Sequence, residues 1–93
     1  MPYHARLSGT DTTGRVFKED TQLDDLSVGG LHLRLTHNVP EGSDVSVAVR
    51  LSTVSVGQHM ALRLAARGRV LRSIPQKDGS WGVAVEFKRR RIL

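Results

Sequence analysis

The feature that most limits what this chain can become is a period of two in its apolar residues. Leu31, Leu33 and Leu35 alternate with His32, Arg34 and Thr36, and Val45, Val47, Val49 and Leu51 alternate with Asp44, Ser46, Ala48 and Arg50. Successive side chains of extended chain point to opposite faces, so each run reads as a strand with one buried and one wet face. Residues 38–43 carry Asn, Pro and Gly, which preset turn dihedrals, and this predicts an antiparallel hairpin joining the two runs. Later, Leu62, Leu64, Ala66, Gly68 and Val70 share one face while Arg63, Ala65, Arg67 and Arg69 share the other. Lys77-Asp78-Gly79 then turns the chain into Trp81, Val83, Val85 and Phe87, a second hairpin with Asp-Gly at its tip.

The N-terminal third repeats the theme less regularly, and no stretch holds apolar residues at helical spacing over three turns. Strands are therefore expected near residues 3–9, 15–24, 29–36, 44–53, 61–75 and 80–87, with 53–60 the longest connection. Their inward set is Leu31, Leu33, Leu35, Val45, Val47, Val49, Leu62, Leu64, Val70, Val83, Val85 and Phe87. Ninety-three residues make one small domain, 1–93, with residues 88–93 a basic C-terminal tail expected to fray. Six short antiparallel strands make a small barrel or a sandwich, and closure is the economical way for so short a chain to remove its sheet edges.

Composition narrows the function. With no Cys there is no thiolate nucleophile or cysteine-held zinc, no apolar run approaches the ~20 residues that span a bilayer, and the start lacks a secretion signal, so the expectation is a cytoplasmic protein without membrane insertion. His4, His32, His37 and His59 are scattered, no Gly-x-Ser-x-Gly elbow occurs, and the adjacent Asp24 and Asp25 would point apart on a strand, so no enzyme and no metal are expected. Charge is divided: residues 1–46 hold four basic and seven acidic groups, residues 47–93 ten basic and two acidic. Arg63, Arg67 and Arg69 on one face are either a solvated surface or an anion-facing one. A single-strand nucleic-acid binder needs aromatics spaced on an exposed face, and the four here, Tyr3, Phe17, Trp81 and Phe87, are scattered, which disfavours that partner.

One segment combines groups that could read a base: Asp25-Leu26-Ser27-Val28-Gly29-Gly30. A carboxylate only accepts hydrogen bonds and so suits the two adjacent donors of guanine's Watson–Crick edge, while the glycines permit positive φ and close approach of backbone. The same residues also make an ordinary tight turn, with Asp25 and Ser27 bonded to nearby backbone.

Asp25-x-Ser27-x-x-Gly30 opening an amphipathic strand is followed by Pro40-x-Gly42 before Val45-x-Val47-x-Val49. Gly68-x-Val70 and Trp81-Gly82-Val83-Ala84-Val85-x-Phe87 come after. In this order and over about residues 5 to 88, the chain resembles a bacterial PilZ domain. The resemblance implies a six-stranded antiparallel β-barrel that acts as a receptor for the second messenger cyclic di-GMP, with Asp25, Ser27 and Gly30 meeting a guanine and the signal passed to a downstream protein or domain. It also implies an Arg-x-x-x-Arg pair ahead of the Asp that grips the phosphates and a guanine edge. That pair is absent: Arg6 and Arg15 stand nine apart, and Arg6, helped by His4, is the candidate partial substitute. The expected consequence is weakened affinity, or an interaction module that has lost the nucleotide.

Overall fold

Each alternating run is a strand in the computed structural model, which describes the backbone at residues 3–55 and 58–92 and side chains at 3–50 and 63–89. The six strands are β1 (His4–Thr10), β2 (Val16–Leu26), β3 (Gly30–Leu35), β4 (Asp44–Ser55), β5 (Gln58–Pro75) and β6 (Trp81–Ile92). They close into an antiparallel barrel in the order β1-β2-β3-β6-β5-β4, so every strand has a neighbour on each side. The described residues contain no helix.

The inward faces match the alternation. Leu31, Leu33, Leu35, Val45, Val47, Val49, Val70, Val83 and Val85 are each no more than 5% exposed. Leu64 and Phe87 pack against this core while staying half-buried, and the Leu62 side chain lies outside the described residues. Ala5, Leu7, Phe17, Leu23 and Val39 complete the cluster. In β2 the parity falls on Phe17, 7% exposed, and leaves Val16 in solvent at 77%.

Four expectations about the fold need correction. The runs 31–35 and 45–51 are not a hairpin: β3 pairs with β2 and β6, and β4 with β1 and β5. The turn residues between them bend the chain but do not choose the partner strand. Instead of folding back, residues 36–43 cross the barrel end and bury Val39 completely. The crossing is pinned by Thr12 N–H donating to the Asn38 carbonyl (2.9 Å), Gly42 N–H to Val70 (2.7 Å) and Val70 N–H to Ser43 (3.0 Å).

Of residues 53–60, expected as a connection, 53–55 and 58–60 are strand, with Thr53 opposite Met60 and Ser55 opposite Gln58. β-Branched Thr53 and Val54 favour this extended form. The basic run expected to fray is likewise strand: β6 continues to Ile92, with Arg89, Arg90 and Arg91 opposite Arg67, Ala66 and Ala65. β5 extends far enough to template it. The second hairpin forms as expected, with Gly79 at φ +87° and Ser80 N–H donating to Asp78 (2.9 Å).

Among the described residues three bulges interrupt the ladder, and each inserts one residue. Leu23 faces Leu33 but Asp25 faces His32, so Asp24 is extra on β2. Val70 faces Val85 but Arg72 faces Ala84, so Leu71 is extra on β5; Arg67 faces Arg89 but Gly68 faces Phe87, so Lys88 is extra on β6. An inserted residue resets the alternation. At each bulge two consecutive side chains are exposed: Asp24 and Asp25, Leu71 and Arg72, Lys88 and Arg89. This corrects the expectation that Asp24 and Asp25 point apart, and it explains how Arg72 avoids the interior despite sharing its parity with Val70.

Candidate functional site

β2 passes into β3 through a tip of two residues, Val28 and Gly29, closed by Ser27 N–H donating to the Gly30 carbonyl at 2.9 Å. The Ser27 hydroxyl donates to the same carbonyl at 3.2 Å, and one Asp25 oxygen accepts the Leu26 N–H at 2.9 Å. These are the local bonds of a tight turn. They leave the exposed Asp25 carboxylate with an oxygen that no donor among the described residues reaches.

The glycines divide their work. Neither Gly29 nor Gly30 has positive φ, so the dihedral freedom they permit is not used. A Cβ on Gly30 would collide with the carbonyl of Val85, whereas one on Gly29 would meet nothing within 4 Å. Gly30 is thus explained by the close passage of β6, which is fastened here by Phe87 N–H donating to the Gly29 carbonyl at 2.9 Å.

Asp25, Ser27 and Gly30 border one shallow concavity of about 310 Å³, with His32, Leu71 and Glu86 on its other sides. Sequence reasoning missed these last three. His32 and Glu86 could have been found, since their parity places them outside on β3 and β6. Leu71 carried a fainter signal, a large apolar residue on the parity of Arg67 and Arg69. Its arrival at the turn depends on the β3-β6-β5 order, which no local pattern shows. It is 47% exposed and supplies an apolar wall.

Arg6 is not at this concavity. It faces Asp20 across β1 and β2, with Nε donating at 2.7 Å and an Nη at 3.3 Å. The hydrogen bond and the opposite charge raise the Arg6 pKa and lower that of Asp20. Its guanidinium borders a second groove, on β1, β4, β5 and β6. His4 is also on β1, opposite Gln22 and Arg50. Beside the turn, the outer face of β3 carries His32 and Arg34. Asp24 stands 3.5 Å from each, and Arg34 also lies 3.9 Å from Asp78. Glu86 is held by Lys88 at 2.6 Å, which lowers its pKa through the hydrogen bond first and the opposite charge second.

Among the described residues, no three His, Asp or Glu side chains gather as a metal site would require, and no helix is long and apolar enough to cross a membrane. The turn and its surroundings present an acceptor at Asp25, a hydroxyl at Ser27, open backbone at Gly29 and an apolar wall at Leu71. Compared with known families, residues 1–92 match the family model described as PilZ domain. No curated protein and no solved structure matches the chain.

Proposed function

The chain belongs to the PilZ domain family, and from that premise we propose that it is a bacterial signalling module that takes up cyclic di-GMP at the Asp25 to Gly30 turn and passes the signal to a downstream protein or domain in the cytoplasm. The observation that carries the reading is the convergence of Asp25, Ser27 and Gly30 on one concavity, with an acceptor oxygen of Asp25 left open. A guanine laid there would present its two adjacent donors to that carboxylate, with Leu71 against the ring and Gly29 admitting its edge. The module is a binder rather than an enzyme.

The phosphates are less well served. Two free arginines would contribute ~1.5–3 kcal/mol each in charge-assisted bonds, and without them the affinity falls by ~10²–10⁴. His32 and Arg34 are both engaged by Asp24 and replace such a pair only weakly. The absent pair favours a second reading, a domain of this family that works through protein contacts without the nucleotide.

Calorimetric titration of cyclic di-GMP separates them, using this chain and a version with an Arg-x-x-x-Arg segment added ahead of residue 3. Tyr3 lies beside the motif end of β2, its carbonyl accepting Leu23 N–H at 2.9 Å, so an added segment would enter next to the turn. Weak binding here and stronger binding in the extended form are expected. Binding in neither would leave the protein-contact reading.

A further inference from the structure

The second groove, on the outer face of β1, β4, β5 and β6, encloses about 970 Å³ and lies away from the turn. Arg6, Arg67, Lys88 and Arg89 border it, and its floor includes Ala48 and Ala65. Two of the cations are already answered, Arg6 by Asp20 and Lys88 by Glu86. Arg67 and Arg89 are not. They stand directly opposite each other across β5 and β6, and four residues along β5 Arg63 stands directly opposite Arg50 of β4. All four are exposed, and no carboxylate among the described residues lies within ion-pair reach of them. Like charges placed opposite each other destabilise a sheet, so two such pairs are a cost to the isolated fold that a bound anion would reverse.

The spacing describes the anion. Four residues of strand separate the two arginine pairs by about 13 Å, and on one face of an extended peptide positions i and i+4 have the same separation. Between the pairs lie Ala48 and Ala65, opposite each other and small enough for another main chain to approach. A single-stranded nucleic acid would need stacking platforms. Phe17 is buried, and Tyr3, Trp81 and Phe87 pack against the core.

We propose that this groove, continued along β4 and β5 past Ala48 and Ala65 to the Arg50 and Arg63 pair beyond its lining, is a docking site for an acidic, extended segment of a partner protein, whose carboxylates at alternate positions are held by Arg67 with Arg89 and by Arg50 with Arg63. Asp44 also borders the groove and stands opposite Arg69, so the charge of the segment falls on the two arginine pairs and not beside Asp44. The site does not depend on nucleotide binding at the turn.

Fluorescence anisotropy tests it, with a labelled Gly/Ser peptide carrying glutamates at alternate positions, its glutamine counterpart, and a short single-stranded RNA. The glutamate peptide should bind, weaken with salt, and exceed both others. Arg67→Gln with Arg89→Gln should weaken it about fivefold, and adding Arg50→Gln and Arg63→Gln about 25-fold in all, with Lys77→Gln between β5 and β6 as an unaffected control. Thermal melts of the glutamine variants should not fall, because each removes a like-charge apposition. Equal binding of the glutamate and glutamine peptides, unchanged affinity in the fourfold variant, or tighter binding of the RNA would overturn the proposal.

Discussion

Two carboxylates on β2, Glu19 and Asp25, are treated oppositely by the fold. The Glu19 side chain is 15% exposed and fully engaged: it accepts from Thr36 N–H at 2.8 Å and Thr36 hydroxyl at 2.9 Å, and lies 2.6 Å from His37 Nδ1. His37 in turn stacks on the buried Phe17, ring centroids 4.1 Å apart. Asp25 is exposed, accepts only its neighbour's N–H, and sits on a bulge. A carboxylate saturated by its own chain stabilises the barrel end it fastens; one left open contributes little to folding and remains available to a ligand. The barrel thus has a stitched end, where residues 36–43 cross, and an open end, where the turn lies.

The largest expected effect lies in the core both ends share. Leu33 is 0% exposed, and Leu33→Ala should cost ~2–5 kcal/mol in denaturant unfolding, a large part of what a domain this size has. A loss below about 1 kcal/mol would place it outside the core. Next comes the stitched end: Glu19→Ala removes charge-assisted bonds and should cost ~1–3 kcal/mol, against less than ~0.5 for Asp25→Ala. Equal costs in paired melts would erase the distinction between the two ends.

The alternation of Leu31 to Leu35 and Val45 to Val49 shows the strands and most of the core, because burial on one face of extended chain leaves that mark in any sequence. The bulges leave none. One added residue changes neither composition nor local propensity, yet it turns Asp24 with Asp25, Leu71 with Arg72 and Lys88 with Arg89 outward together. Both concavities depend on such residues, Asp25 and Leu71 in one, Lys88 and Arg89 in the other. Asp25, Ser27 and Gly30 were legible as a local motif. The separation of Arg6 from them was not, since it follows from which strand faces which concavity in the closed barrel.

The smallest expected effect is on pH. Asp11, Asp20 and Asp78 have lowered pKa values, caused first by the Thr13 hydroxyl, the Arg6 guanidinium and the Ser80 hydroxyl respectively, and Glu86 is lowered by Lys88. A carboxylate whose folded pKa is depressed stabilises the fold above its unfolded value, and that contribution is lost as pH falls through the folded one. The melting temperature should therefore hold from neutrality to about pH 5 and decline below about pH 4, modestly because all four groups are exposed. A decline already under way at about pH 6 would contradict the assignment of the acid limb to these four carboxylates.

The most direct test of the open end is calorimetric titration of cyclic di-GMP into the parent and into Asp25→Ala, with melts of both. Asp25→Ala should keep its melting temperature and lose ~1.5–3 kcal/mol of binding, about ten- to a hundredfold, because a charge-assisted pair of bonds to the guanine edge is gone. Undiminished binding by a variant that melts like the parent would contradict the assignment of Asp25 to the guanine.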